Sequence, residues 1–277
     1  MKLFYRKYGE SGPPLIIVHG LYGSGDNWVS IARELSDRFE VYVIDQRNHG
    51  QSPHSDTHNY PALRDDLKTF MDAEGIGQAV LIGHSMGAKT IMYFAASWPD
   101  RVISLVSVDM APRAYHELAQ ESRSAARHGA LIDAMLELDL PAITSREEID
   151  RALSVKIGSE RVRGFLLKNV QRSKAGKFFW RINLSALRSN LPRILDGLMA
   201  SENEGVGGLE EIPPGGIAGF PALFVAGENS DYIRTEDYQP IRSLFPRAQI
   251  VTIPNAGHWV HAEQPRLLLK NLDYFLN

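Results

Sequence analysis

The residues Gly83-His84-Ser85-Met86-Gly87 place a serine hydroxyl between small neighbours. That pattern suits a nucleophile for acyl transfer. Its setting strengthens the reading, because an apolar run, Ala79 to Ile82, precedes it and a helical stretch, Met86 to Ser97, follows. A strand turning sharply into a helix holds the serine in strained backbone angles, so its neighbours must be small. It also sets the hydroxyl at a helix N-terminus, where the dipole favours developing negative charge. The competing reading is a tight turn carrying a bystander serine.

A serine hydroxyl is a weak nucleophile without a base. Ala256-Gly257-His258-Trp259 follows the run Gln249 to Ile253 and precedes the last helix, so the chain order serine, acid, histidine is open to it. The other histidines weighed are His261, His84 and His49. His84 flanks the serine and is expected to point away from the site. A His258–His261 zinc pair would lack a third ligand in the sequence. Acyl transfer also needs donors for an oxyanion. The backbone N–H of Met86 is one candidate, and that of Leu21, in His19-Gly20-Leu21-Tyr22-Gly23, is the other. Two carboxylates compete for the third role: Asp109, which ends the strand Val102 to Val108, and Asp231, in the loop after Ala222 to Ala226. Asp45 also ends a strand but belongs to an Asp-x-Arg turn that it is expected to order.

The elements that must position these groups alternate. Buried strands are predicted at Leu15–Val18, Val41–Ile44, Ala79–Ile82, Val102–Val108, Ala222–Ala226 and Gln249–Ile253, with helices at Trp28–Leu35, Leu63–Ala73, Met86–Ser97 and Pro265–Phe275. Strands apolar on both faces, separated by helices, imply a parallel sheet covered on both sides. From Pro112 to about Gly216 the pattern shows helices and no convincing strand. His116–Leu138, a helix at Ile149 opened by Ser145 and Glu148, Arg161–Val170 and Ile194–Ala200 are the pieces, and Glu204–Gly219, with six glycines and two prolines, reads as a linker. The expected organisation is an α/β core, 1–111 and 217–277, with a helical cap at 112–216.

The 277 residues are 44% hydrophobic and 23% charged, with a net charge of -3 and no cysteine. No basic excess points to nucleic acid or an anionic membrane, and thiol catalysis, disulfides and cysteine metal sites are excluded. The opening Met-Lys-Leu-Phe-Tyr-Arg turns charged too early for a signal peptide, and no apolar run reaches the ~20 residues of a membrane span. The expectation is a soluble cytoplasmic protein.

His19-Gly20, Asp45 to Ser52, Gly83 to Lys89 and Ala256 to Glu263 together resemble the α/β-hydrolase superfamily. Arg47-Asn48-His49-Gly50, Val108 to Pro112, Asn229-Ser230 and Gly257 to Glu263 resemble, within it, the esterase group typified by YbfF and related to abhydrolase-domain protein 11. The resemblance covers the chain outside the cap. It implies the α/β-hydrolase fold and hydrolysis of a small-molecule carboxylic ester or acyl thioester through an acyl-enzyme, with Ser85 and His258 in their roles and no cofactor or metal. Asn48 and His49 would shape the loop beneath the site. In most of the superfamily the acid lies three residues after a glycine that follows the penultimate strand; Ser230 holds that position here, and Asp231 is one residue late. Some members, the YbfF group among them, take the acid from the place of Asp109, which is therefore favoured over Asp231.

Trp28, Phe179, Trp180 and Trp259 are the candidate pocket residues, with Phe178 and Leu184 beside them; packing of cap onto body would explain the cap aromatics equally well. Arg181 and Asn183 would meet a polar substrate group or face water. The rival readings are a C–C bond hydrolase or menaquinone-pathway-type lyase on the same fold, and a ligand receptor that keeps the triad. Dehalogenase and epoxide hydrolase chemistry is disfavoured, since both need an aspartate where Ser85 stands.

Overall fold

In the computed structural model, which describes residues 1–115, 127–198 and 214–277, strands and helices alternate from Pro14 to Val108, and a run of helices with one hairpin separates that stretch from the last two strands. The strands are β1 (Tyr5–Tyr8), β2 (Pro14–Val18), β3 (Glu40–Ile44), β4 (Ala79–His84), β5 (Val102–Val108), β6 (Val170–Arg172), β7 (Phe178–Trp180), β8 (Ala222–Gly227) and β9 (Ala248–Ile253). The helices are α1 (Val29–Leu35), α2 (Tyr60–Ala73), α3 (Met86–Ser97), α4 (Arg127–Leu136), α5 (Arg146–Ser154), α6 (Glu160–Leu167), α7 (Leu184–Ser189), α8 (Leu191–Leu195), α9 (Tyr238–Leu244), α10 (Val260–Glu263) and α11 (Pro265–Phe275).

Seven strands form one sheet in the order β1-β3-β2-β4-β5-β8-β9. Only its first pair, β1 with β3, is antiparallel. Alternate side chains serve opposite faces. Ile16, Val18 and Leu81 join the core under α2 and α3, while Leu15, Ile17, Val80 and Ile82 join the core with Ile31, Leu35, Leu268 and Leu272 of α1 and α11. Burial on both faces explains why β4 carries no polar residue before His84. The chain crosses from β3 over β2 to β4, so the strand order reverses between β2 and β4. The loops at the carboxyl ends of those two strands open on that reversal, where open α/β sheets bind ligands.

Between β5 and β8 the described residues form α4 to α8 and one hairpin. The chain leaves and returns side by side: Leu198 N–H donates to Pro112 O at 2.7 Å, and Tyr115 N–H to Leu195 O at 2.7 Å. Three body side chains grip the returning segment by its carbonyls. Tyr60 Oη donates to Ile194 O and Tyr93 Oη to Gly197 O, each at 2.7 Å, and Lys89 Nζ donates to Asp196 O. Full burial draws the Lys89 ammonium down to about 7. The other side of the insertion rests on the loops after β2 and β3, through Asn169 Nδ2 to Tyr22 O at 2.8 Å and Asn183 N–H to Asn48 O at 3.0 Å.

The sequence expectations need four corrections. The helix expected at Ile194–Ala200 runs instead over Leu191–Leu195, where Pro192 fits its first turn. β6 and β7 pair across a turn at Gly176, where no strand was expected; three-residue strands carry too little alternation to be read. Val170 lies in β6 and not at the end of a helix, which stops at Leu167. α2 begins at Tyr60 and not Leu63, because Asn59 caps it through Ala62 N–H and Pro61 fits its first turn. The calls over 116–126 and 199–213 lie outside the described residues. Among the described residues, no helix is long and apolar enough to cross a membrane.

Candidate active site

Ser85 stands between β4 and α3 with φ 53° and ψ −121°. A non-glycine residue reaches that region only where its surroundings impose it. Here the sheet does so: Ser85 N–H donates to Val108 O at 3.1 Å, one step beyond the end of β4. The turn is also too tight for side chains at its flanks. A Cβ on Gly87 would lie 2.2 Å from Val18 O, and one on Gly83 2.5 Å from Gly87 O. Met86 opens α3, so its backbone N–H has no partner within the helix.

Asp109 repeats the device one strand over. It follows β5 with φ 52°, and its N–H donates to Val225 O at 2.7 Å. The two ladder bonds fix Ser85 and Asp109 relative to the same sheet edge. The Asp109 side chain is fully buried, and its carboxylate accepts three bonds. Oδ1 takes Gly227 N–H at 2.9 Å; Oδ2 takes the Ser230 hydroxyl and, at 2.8 Å, His258 Nδ1–H. Such satisfaction offsets the cost of burying a charge.

His258 lies in the loop after β9. His84 Nε2–H donates to His258 O at 2.8 Å, and Gly257 N–H donates to Glu263 Oε2 at 2.7 Å. The Tyr232 ring stacks on the imidazole, centroid to centroid 3.8 Å and 18° between planes. With Nδ1–H given to Asp109, the remaining ring nitrogen Nε2 is the one left to act as a base. Asp231 belongs elsewhere: its carbonyl accepts from Arg113 Nη2 at 3.0 Å.

The loop carrying Leu21 is braced from below. His49 donates from Nδ1 to Arg47 O at 3.0 Å and accepts Tyr22 N–H on Nε2 at 3.2 Å. His19 accepts Gln46 N–H on Nε2 at 3.0 Å and donates from Nδ1 to Gly20 O at 2.8 Å. Burial holds His19, His49 and His84 below the ordinary imidazole value, so each stays neutral and can accept. Asp45 takes Gly25 N–H at 2.7 Å and Gln51 N–H at 2.8 Å, and so orders the turn after β3.

A cavity of about 500 Å³ opens on Ser85 and His258. Leu21, Tyr232, Trp259 and Asn229 line it from the body, and Val162, Phe165 and Leu166 of α6 roof it. Of the four aromatic candidates only Trp259 lies there. Trp28 is fully buried under the sheet, stacked on His261 at 4.4 Å. Phe179 is 43% exposed on the hairpin, and Trp180 turns its Nε1–H to Met135 O at 3.1 Å. All three correct the sequence reading, which could tell that these rings are large and apolar but not what each would meet. Arg181 passes its backbone N–H to Asn169 O, and Asn183 caps α7. His84 also corrects an expectation: it packs beneath the His258 loop rather than away from it. The sequence pattern did not single out Tyr232, Ser230 as a hydroxyl donor, or α6. Ser230 was visible only as the residue occupying the usual acid position. Among the described residues, no group of three or more His, Cys, Asp or Glu could hold a metal; His258 is engaged by Asp109, and His261 by the Trp28 ring.

A family profile described as the alpha/beta hydrolase fold matches residues 13–265. The sn-1-specific diacylglycerol lipase ABHD11 of Mus musculus is 36% identical over 270 residues, which cover 95% of this chain and 81% of that protein. Esterase YbfF of Escherichia coli (strain K12) is 36% identical over 268 residues, covering 97% and 94%. Among solved structures, a marine microorganism esterase superposes with a TM-score of 0.90 at 43% identity, over 99% of each chain.

Proposed function

The chain belongs to the α/β-hydrolase family, and from that premise we propose that it is a serine hydrolase of carboxylic esters, or of acyl thioesters, acting through an acyl-enzyme. The observation that carries the proposal is the bond from His258 Nδ1 to the fully buried Asp109, with His258 and Ser85 facing one cavity. Ser85 Oγ attacks the carbonyl carbon while His258 Nε2 takes its proton. The oxyanion falls between the Leu21 and Met86 N–H groups. The C–O or C–S bond breaks, and the leaving atom takes the proton from His258. Water then repeats the sequence on the acyl-enzyme, releasing the acid and free Ser85. Asp109 keeps the imidazole in the Nδ1–H tautomer and stabilises its charged form.

Hydrolysis of a C–C bond or a lyase reaction on an acidic substrate would need a cation free to hold it. Arg161, the cation on the described rim of the cavity, is paired with Glu263 at 2.5 Å, which favours a neutral ester. The deciding experiment is Ser85→Ala on p-nitrophenyl acetate. Loss of about 10⁴- to 10⁶-fold in kcat is expected, together with labelling of the wild type at Ser85 by diethyl p-nitrophenyl phosphate. Activity above a tenth of the wild type, or a label elsewhere, rejects the serine mechanism.

A further inference from the structure

Ser85 borders two cavities of very different size. Besides the large one, a small space of about 20 Å³ lies against Ser85 and Met86. Leu21, His128 and Tyr232 border both spaces, whereas His258 borders only the large one, and Met110, Tyr115, Ile194 and Leu195 only the small one. We propose that the small cavity is the acyl subsite and the large one the leaving-group subsite, so that the enzyme acts on acetyl or propionyl esters of bulky alcohols or thiols. The inference rests on the serine mechanism above and adds the division of the substrate.

The chemistry assigns the two sides. In the tetrahedral intermediate four substituents surround the former carbonyl carbon: Ser85 Oγ, the oxyanion, the acyl chain and the leaving group. His258 must deliver a proton to the leaving atom. The leaving group therefore lies on the His258 side, within the 500 Å³ space. The acyl chain takes the other side, past Met86 and Met110. The small space is about 20 Å³ against about 500 Å³ for the large one, so of the two it suits the shorter substituent.

Leu21, Met86, Met110, Ile194 and Leu195 give the small space an apolar side, faced by Tyr60, Tyr115, His128 and Tyr232, and the walls on the returning segment are held. The Tyr60 hydroxyl is committed to Ile194 O at 2.7 Å and that of Tyr115 to Tyr232 O at 2.6 Å. Neither remains to receive a polar acyl group. Ile194 and Leu195 sit on the segment that Tyr60, Lys89, Tyr93 and Tyr115 grip by its backbone. Four anchors on so short a stretch oppose the outward movement that a longer chain would require.

The test is a series of p-nitrophenyl esters with the wild-type protein. Values of kcat/KM are expected to be highest for acetate or propionate and to fall about tenfold or more for each two carbons beyond them. With the acyl group fixed as acetyl, 1-naphthyl acetate should be hydrolysed as well as phenyl acetate. Ile194→Ala and Met110→Ala enlarge the small space and should raise butyrate over acetate by about tenfold. Octanoate turned over by the wild type as well as acetate would overturn the proposal, and so would an Ile194→Ala profile that stays unchanged in a folded protein. If Ser85 is still labelled by diethyl p-nitrophenyl phosphate in that event, only the division of the substrate fails. If it is not labelled, the serine mechanism fails first.

Discussion

Replacing Asp109 by asparagine should disable the base through the tautomer of its ring. Three donors converge on the carboxylate: Gly227 N–H at Oδ1, and Ser230 Oγ–H and His258 Nδ1–H at Oδ2. A carboxylate accepts all three, whereas an amide has one oxygen and one NH₂. The hydroxyl of Ser230 can rotate to accept, but the backbone N–H of Gly227 cannot turn away. The amide oxygen therefore faces Gly227 and the NH₂ faces His258. Two donors cannot share that contact, so the imidazole shifts its proton to Nε2 and loses the lone pair that would take the Ser85 proton. The cost of that wrong tautomer reaches ~10⁴ in kcat. Asp231→Asn should change kcat far less than Asp109→Asn, because the imidazole gives its Nδ1–H to Asp109. The assay is kcat for p-nitrophenyl acetate after thermal melts show both variants folded. Retention of more than a tenth of wild-type kcat by Asp109→Asn refutes the argument, as does a thousandfold loss at Asp231→Asn.

Further expectations follow from the same contacts. Burial holds His58 and His261 down to about 3 and His128 to about 4. The unfolded chain therefore binds protons first as pH falls below 6.5, and each histidine removes ~1.4 kcal/mol of stability per pH unit down to its folded value. Urea titrations should show a loss of several kcal/mol between pH 6.5 and pH 5; equal stability at pH 7 and 5 would contradict neutral burial. Phe179→Ala and Trp180→Ala should leave the acyl-chain profile unchanged, while Phe165→Ala on the cavity roof should shift selectivity among alcohol leaving groups by ~1–3 kcal/mol, read as kcat/KM ratios. Trp28→Ala should cost ~3–5 kcal/mol of stability as a core truncation, measured by denaturation, with the substrate profile of the folded fraction intact.

Much of this was legible in the sequence, for identifiable reasons. The bounds of β5 and α3 are those the pattern implies, because one is a largely apolar run and the other begins directly after the elbow serine. Ser85 and His258 stand out because each is the polar residue that ends or follows such a run. Two carboxylates fitted the third place, since both follow buried strands; only the fold shows which one the imidazole reaches. The pocket was not legible. Aromatic rings at Trp28 and Phe179–Trp180 announce burial or contact, but the sequence carries no sign of the partner, and Trp28 found His261 while Trp180 found Met135. The small cavity was beyond reach for the same reason: Met110 and Ile194, 84 positions apart, meet only through the return of the insertion.

Strain gathers where the chemistry is proposed. Among the described residues, five non-glycine positions have positive φ: Tyr22, Asn48, Ser85, Asp109 and Asn255. They follow the carboxyl ends of β2, β3, β4, β5 and β9 respectively, and each such conformation costs of order 1–3 kcal/mol. The core strands beneath them show none. The surroundings hold these residues by the polar network already described: ladder bonds for Ser85 and Asp109, His49 and Asn169 for Tyr22, and Asn183 for Asn48. Three of those props are side chains that do no chemistry in the proposed mechanism. That explains why so many neutral histidines and asparagines lie buried beside a single serine. In the proposed mechanism they hold the Leu21 and Met86 N–H groups, the Ser85 hydroxyl and the Asp109 carboxylate in register, as preorganised electrostatic stabilisation of a transition state requires. The polar groups gathered under this edge stabilise the geometry of the site, and the apolar layers on either side of the sheet stabilise the fold that carries it.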